Sequence, residues 1–135
     1  MDRFPELETI IRNWFEAVSN KDASWIDRHL SAGPDLRIIG TDPHEWLKGE
    51  AAANLLHTDL EVLGGTVKFD VGETEAYRDG NVAWGCASFT IMLPNGGHVS
   101  PRWTGVFRQE DGNWKAVHIH ASIGLSNEQA FNASF

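Results

Sequence analysis

The chain has 135 residues, 41% of them hydrophobic and 22% charged, which is the length of one domain and the composition of a globular chain, not a disordered one. Eleven Lys and Arg stand against nineteen Asp and Glu, a formal charge of −8; a field of that sign repels phosphate backbones and argues against nucleic acid as a partner. The single cysteine, Cys86, excludes an intramolecular disulfide framework and a four-thiolate zinc site.

Met1 to Leu7 lacks the basic start, apolar stretch and small-residue cleavage site of a secretory signal. Nowhere do eighteen apolar residues run together. These features set the expectation of a cytoplasmic protein with no membrane partner.

Leu7, Ile10, Ile11, Trp14, Phe15 and Val18 recur at the helical period, so a first helix is predicted with a stripe wide enough to face a core. Pro5 suits its first turn, where Glu6 and Glu8 complement the helix dipole. Asn20-Lys21-Asp22 breaks the pattern, and Asp22 or Ser24 can cap a short second helix carrying Trp25, Ile26 and Leu30. Ala32-Gly33-Pro34 ends it. Leu36 to Ile39 reads as a brief strand and Gly40-Thr41-Asp42-Pro43 as a turn. Ala51, Leu55, Leu56, Leu60 and Leu63 mark a third helix beginning near Gly49.

From Gly64-Gly65 onward the period becomes two, with Val67, Phe69 and Val71 alternating with Lys68 and Asp70. The turn Asp79-Gly80-Asn81 leads into Val82 to Leu93, Pro94-Asn95-Gly96-Gly97 into Val99 to Arg108, and Asp111-Gly112-Asn113 into Trp114 to Ile123. Four long strands joined by tight turns make an antiparallel meander, followed by a polar tail, Ser126 to Phe135. Helices first and one sheet afterwards is an α+β plan.

The final strand, Asp111-Gly112-Asn113-Trp114 followed by Val117-His118-Ile119-His120-Ala121-Ser122, resembles the nuclear-transport-factor-2-like superfamily. Within it the chain is similar to SnoaL-like proteins and to the association domain of calcium/calmodulin-dependent kinase. Lys48-Gly49 before the third helix and Thr104 on the preceding strand also fit, and the likeness spans roughly residues 4 to 124. The resemblance implies a cone, in which a strongly bent antiparallel sheet wraps three N-terminal helices and leaves a pocket open at one end. It makes residues 1–135 a single SnoaL-like domain and implies a homodimer paired through the outer face of the sheet. Isomerases, dehydratases, cyclases, ligand binders and assembly modules share that fold, so the fold alone selects no function.

His118 and His120 are two apart on a strand and project from one face, where they can hold a metal or act as acid or base. No third ligand stands at a diagnostic spacing, so neither a metal nor another cofactor is expected. Val117, Ile119, Ala121 and Ile123 alternate with the histidines, as Val99, Trp103 and Phe107 oppose Arg102, Thr104 and Arg108. Strict alternation therefore puts the histidines and Arg102 outside, and a bulge would bring them inside; both placements stay open. The kinase association domains carry pocket arginines on the last two strands, and matching the D-G-x-W turns sets Gly105 and Ala121 at those positions. An inward Arg102 would replace their forked donor.

Asp42 is the candidate general base, since Asp42-Pro43 echoes an Asp-Pro pair of the superfamily's ketosteroid isomerases. Against aromatic walls such a carboxylate would have a raised pKa and could move a proton beside a carbonyl. The plain alternative is that Asp42 shapes a turn. The tyrosine those isomerases need on the first helix is absent, because Trp14 and Phe15 occupy that region. His44, Glu45 and Trp46 would border the mouth of the pocket.

The sequence thus predicts a small-molecule ligand held by Trp14, Phe15, Trp25, His44, Arg102, Trp103 and His118, with proton transfer by Asp42 or His120. The competing expectation is a non-catalytic assembly or accessory domain.

Overall fold

The computed structural model describes residues 1–132; the last three residues of the expected polar tail lie outside them. Helix α1 (Pro5–Ser19) opens on its proline with Glu6 and Glu8 in the first turn, and buries Leu7, Ile11, Trp14, Phe15, Ala17 and Val18 along one side. Helix α2 (Ala23–Arg28) is capped by Asp22, whose carboxylate accepts a hydrogen bond from the Trp25 amide at 3.2 Å. Strands β1 (Arg37–Ile39) and β2 (Trp46–Lys48) form a small hairpin. Gly49 turns it into α3 (Glu50–Leu63) with φ +61° and ψ −132°, a combination that favours glycine.

The long strands β3 (Lys68–Asp79), β4 (Val82–Met92), β6 (Pro101–Glu110) and β7 (Asn113–Ile123) pair antiparallel as consecutive neighbours, which is the predicted meander. The two-residue β5 (His98–Val99) folds back on β4. The sheet order is β2-β1-β7-β6-β4-β3, and β1 lies parallel to β7 with Ile38 beside Ile119. The sheet is therefore not antiparallel throughout, because the chain reaches β1 from the helical layer and returns to its flank only after the whole meander. A short helix α4 (Asn127–Phe131), capped by the Ser126 hydroxyl, occupies part of the polar tail.

Two irregularities bend the sheet. Val71 pairs with Phe89 and Thr74 with Ala87, leaving an extra residue on β3; Val106 pairs with His118 and Phe107 with Ala116, leaving Val117 extra on β7. Bulges of this kind sharpen twist and curvature. The concave side wraps α1, and Ile11, Ile26, Leu7 and Phe107 are buried completely there. Burying a side chain of that size stabilises the fold by about 1.5–3 kcal/mol. This is the mixed α+β architecture of a curved sheet around N-terminal helices. Among the described residues, no helix is long and apolar enough to cross a membrane.

Candidate functional site

Between α1, α3 and the concave face of the sheet the packing leaves a cavity of about 310 Å³. Trp14, Phe15 and Val18 reach it from one side of α1, and Leu55, Leu56, Asp59 and Leu63 from one side of α3, at the three- and four-residue steps that share a helix face. The sheet supplies Phe69, Phe89, Trp103, Ile119 and Ala121. Phe15 lies 4.4 Å from Phe89 and 5.9 Å from Trp103 between ring centroids, and Trp14 lies 6.1 Å from Trp103, so the aromatic rings form a continuous wall. Gly105, between Trp103 and Phe107 on β6, keeps that wall in place: a Cβ there would stand 2.6 Å from the indole of Trp103.

Two carboxyl groups interrupt the apolar lining. Burial, and secondarily the charge of Glu45, pushes the carboxyl of Asp59 up to about 6 from 3.8. Among the described residues, no side chain donates a hydrogen bond to Asp59 or forms an ion pair with it. Glu45 lies at the mouth, where one carboxylate oxygen accepts the Asp42 amide at 3.0 Å and its own carbonyl accepts the Gly40 amide at 2.9 Å. A carboxyl that titrates near neutrality beside an aromatic wall can give or take a proton from a bound organic molecule.

Of the residues expected to act, Trp14, Phe15 and Trp103 line the cavity. Trp25 stands behind them, edge-on to Trp14 at 6.0 Å and tilted against His29 at 4.4 Å. Asp42 and His44 are exposed and outside the cavity lining; the Asp42 carboxylate accepts the His44 amide at 2.9 Å and so shapes the turn. Arg102, His118 and His120 lie on the convex side. Trp103 and Ile119 face the cavity, and alternation turns their neighbours outward. Arg102 is exposed and donates to the Ser122 hydroxyl at 3.2 Å. Burial, then the charges of His120 and Arg37, lowers the pKa of His118, an environment that disfavours a bound cation. Among the described residues, no three His, Cys, Asp or Glu side chains gather where they could hold a metal ion.

Sequence reasoning placed Glu45 at the mouth but passed over Asp59. The signal for it was present: Asp59 stands four residues after Leu55 and four before Leu63, a polar residue on the apolar stripe of α3.

A search of curated proteins finds no match. Among solved structures, the chain is similar to a nuclear-transport-factor-2-like protein of unknown function from Pseudomonas putida KT2440, at 19% identity and TM-score 0.77, with 93% of this chain and 89% of that one covered. It is also similar to the association domain of calcium/calmodulin-dependent protein kinase II from C. elegans, at 15% identity and TM-score 0.71, covering 87% and 93% of the two chains. A third likeness is to a candidate dehydratase of the nuclear-transport-factor-2-like family from Streptomyces avermitilis, at 18% identity and TM-score 0.71, covering 89% and 94%. At these identities the likenesses establish the fold. Residues 7–126 match the model of the SnoaL-like domain, and the chain belongs to that family.

Proposed function

We propose that the cavity binds a compact, largely apolar organic molecule and that Asp59 moves a proton on it, in an isomerase, cyclase or dehydratase type of step. The observation carrying this reading is a carboxyl with a pKa near 6 in an aromatic cavity of about 310 Å³. That volume lies at the small end of ligand sites, which suits a body of one or two rings. Trp14, Phe15 and Trp103 form the apolar wall, and Thr41 offers a hydroxyl on the same lining. Asp59 takes the role expected of Asp42 or His120, because Asp42 is committed to its turn and His120 is exposed on the other side of the sheet. The likeness to a candidate dehydratase supports the class of chemistry.

The test is a screen of small carbonyl and hydroxyl compounds for turnover, followed by substitution. Asp59→Asn is expected to lower turnover by about 10²-fold or more, the contribution of a positioned acid or base. Asp42→Asn should stay within about twofold of wild type. Full turnover by Asp59→Asn would overturn the proton-transfer reading.

A second reading concerns assembly, and the convex face favours it. Val82 and Met92 are 41% and 43% exposed there, in line with Trp84 and Cys86 on β4. Glu75, Tyr77, Trp84, Cys86 and Thr104 border a depression of about 340 Å³ with the sheet as its only wall. A one-sided depression of that kind suits a second sheet better than a small ligand, and the likeness to a kinase association domain points the same way. The expected state is a homodimer through this face. Sedimentation of a Trp84→Glu variant as monomer, against dimeric wild type, would support it.

A further inference from the structure

The charge around the cavity has one sign. Among the described residues its lining holds Asp59 and Glu45 but no lysine, arginine or histidine. Two basic side chains on the neighbouring strands are engaged elsewhere: Arg102 with Ser122 on the convex side, and Arg37 over the Trp46 ring at 5.2 Å. Ala121 contributes only a methyl group to the wall. The same lining holds the rings of Trp14, Phe15, Phe69, Phe89 and Trp103.

From this geometry we infer that the preferred occupant is a hydrophobic ammonium ion, an amine protonated at neutral pH on a compact apolar body. Such a group donates to the Asp59 carboxylate, which has no other donor among the described side chains. Its remaining N–H bonds are free for Glu45. Aromatic rings on the same lining attract the same charge through their quadrupoles, and the half-buried carboxylate exchanges water for a charge-assisted hydrogen bond. A carboxylate or phosphate in the same place meets two like charges and no fixed cation. The formal charge of −8 acts in the same direction at longer range. The inference rests on the cavity being a ligand site and not on the proton-transfer step; an amine without a reactive carbon binds there without turnover.

The test uses three probes sharing one body: naphthylmethylamine, naphthylmethanol and naphthoate, titrated calorimetrically into the full-length protein at pH 7 and moderate salt. The amine is expected to bind about tenfold or more tightly than the alcohol, the gain of a charge-assisted hydrogen bond, and naphthoate more weakly than the alcohol. In Asp59→Asn the amine should fall to within about threefold of the alcohol, whose own affinity is unchanged. Equal binding of amine and alcohol to wild type overturns the inference and leaves the cavity reading standing. An amine preference that survives undiminished in Asp59→Asn also overturns it, since the preference would then not depend on that carboxylate. Failure of all three probes to bind defeats the cavity reading together with the inference.

Discussion

Asp59 carries a cost in the folded chain that its surroundings do not offset. Its folded-state pKa of about 6 lies above the ordinary 3.8, so the folded chain holds that proton more tightly than the unfolded chain does. For this group, stability is highest below about pH 4, falls as the pH rises from about 4 to about 6, and is level above that. Asp59 is only partly buried and water screens it, so the loss is about 1–2 kcal/mol. Asp59→Asn should therefore be more stable than wild type at pH 7 by about that amount. It should also lose the decline between pH 4 and pH 6, as read from urea unfolding at a series of pH values; an unchanged pH profile would contradict the placement of this carboxyl. Asp42 makes the opposite prediction. Asp42→Ala removes one exposed hydrogen bond to the His44 amide, costs about 1 kcal/mol or less, and leaves probe affinity in the cavity unchanged by titration. The two aspartates illustrate what a single sequence conveys. Asp42 stands out because a proline follows it, whereas Asp59 is distinguished only by the apolar positions on either side of it on α3.

At the scale of elements, the strongly periodic segments were legible and the irregular ones were not. Helix α1 and the four long strands announce themselves because one residue in three or four, or one in two, must be apolar to face the core. Strand β2 has three residues, Trp46–Lys48, with Trp46 65% exposed and covered by Arg37, so no alternation marks it. On β7 the interior set was expected to run through Val117, Ile119, Ala121 and Ile123. Ile119 and Ala121 do line the cavity, but the bulge at Val117 shifts the phase, and before it Trp114 and Ala116 are the buried residues. A bulge is set by pairing with β6, which local alternation does not encode. Gly105 on β6 gives this scale its own test. The added methyl group of Gly105→Ala would press on the Trp103 ring, and overpacking of this kind costs about 1–3 kcal/mol. Thermal unfolding should show a lowered midpoint, and near-ultraviolet dichroism should report a displaced indole; a neutral effect on both would mean that the ring does not lie where it is described.

For the whole molecule, the order of layers was readable from the residue pattern, whereas the hollow inside was expected only from the family resemblance. Helices followed by a meander dictate a sheet that curls over a helical layer, and six tryptophans and seven phenylalanines in 135 residues indicate a large aromatic interior. Whether those rings meet or stand apart depends on how far the two bulges bend the sheet, a long-range property. Filling the space separates its role from that of the fold. Ala121→Leu puts additional methyl groups into the cavity; stability should hold within about 1 kcal/mol or improve, because about 310 Å³ of space between the surrounding side chains gives them room. Affinity for naphthylmethanol should fall by about tenfold or more once that volume is taken. A strongly destabilised variant would mean that the site is already close-packed.

The central claim is that the space between α1, α3 and the concave sheet is where a small molecule sits. Amide and indole NMR spectra recorded during titration with naphthylmethanol test it most directly. The account predicts shifts concentrated on Trp14, Phe15, Leu56, Asp59, Trp103 and Ile119. Shifts confined to Tyr77, Trp84 and Thr104 on the convex face, or none at saturating probe, would contradict it.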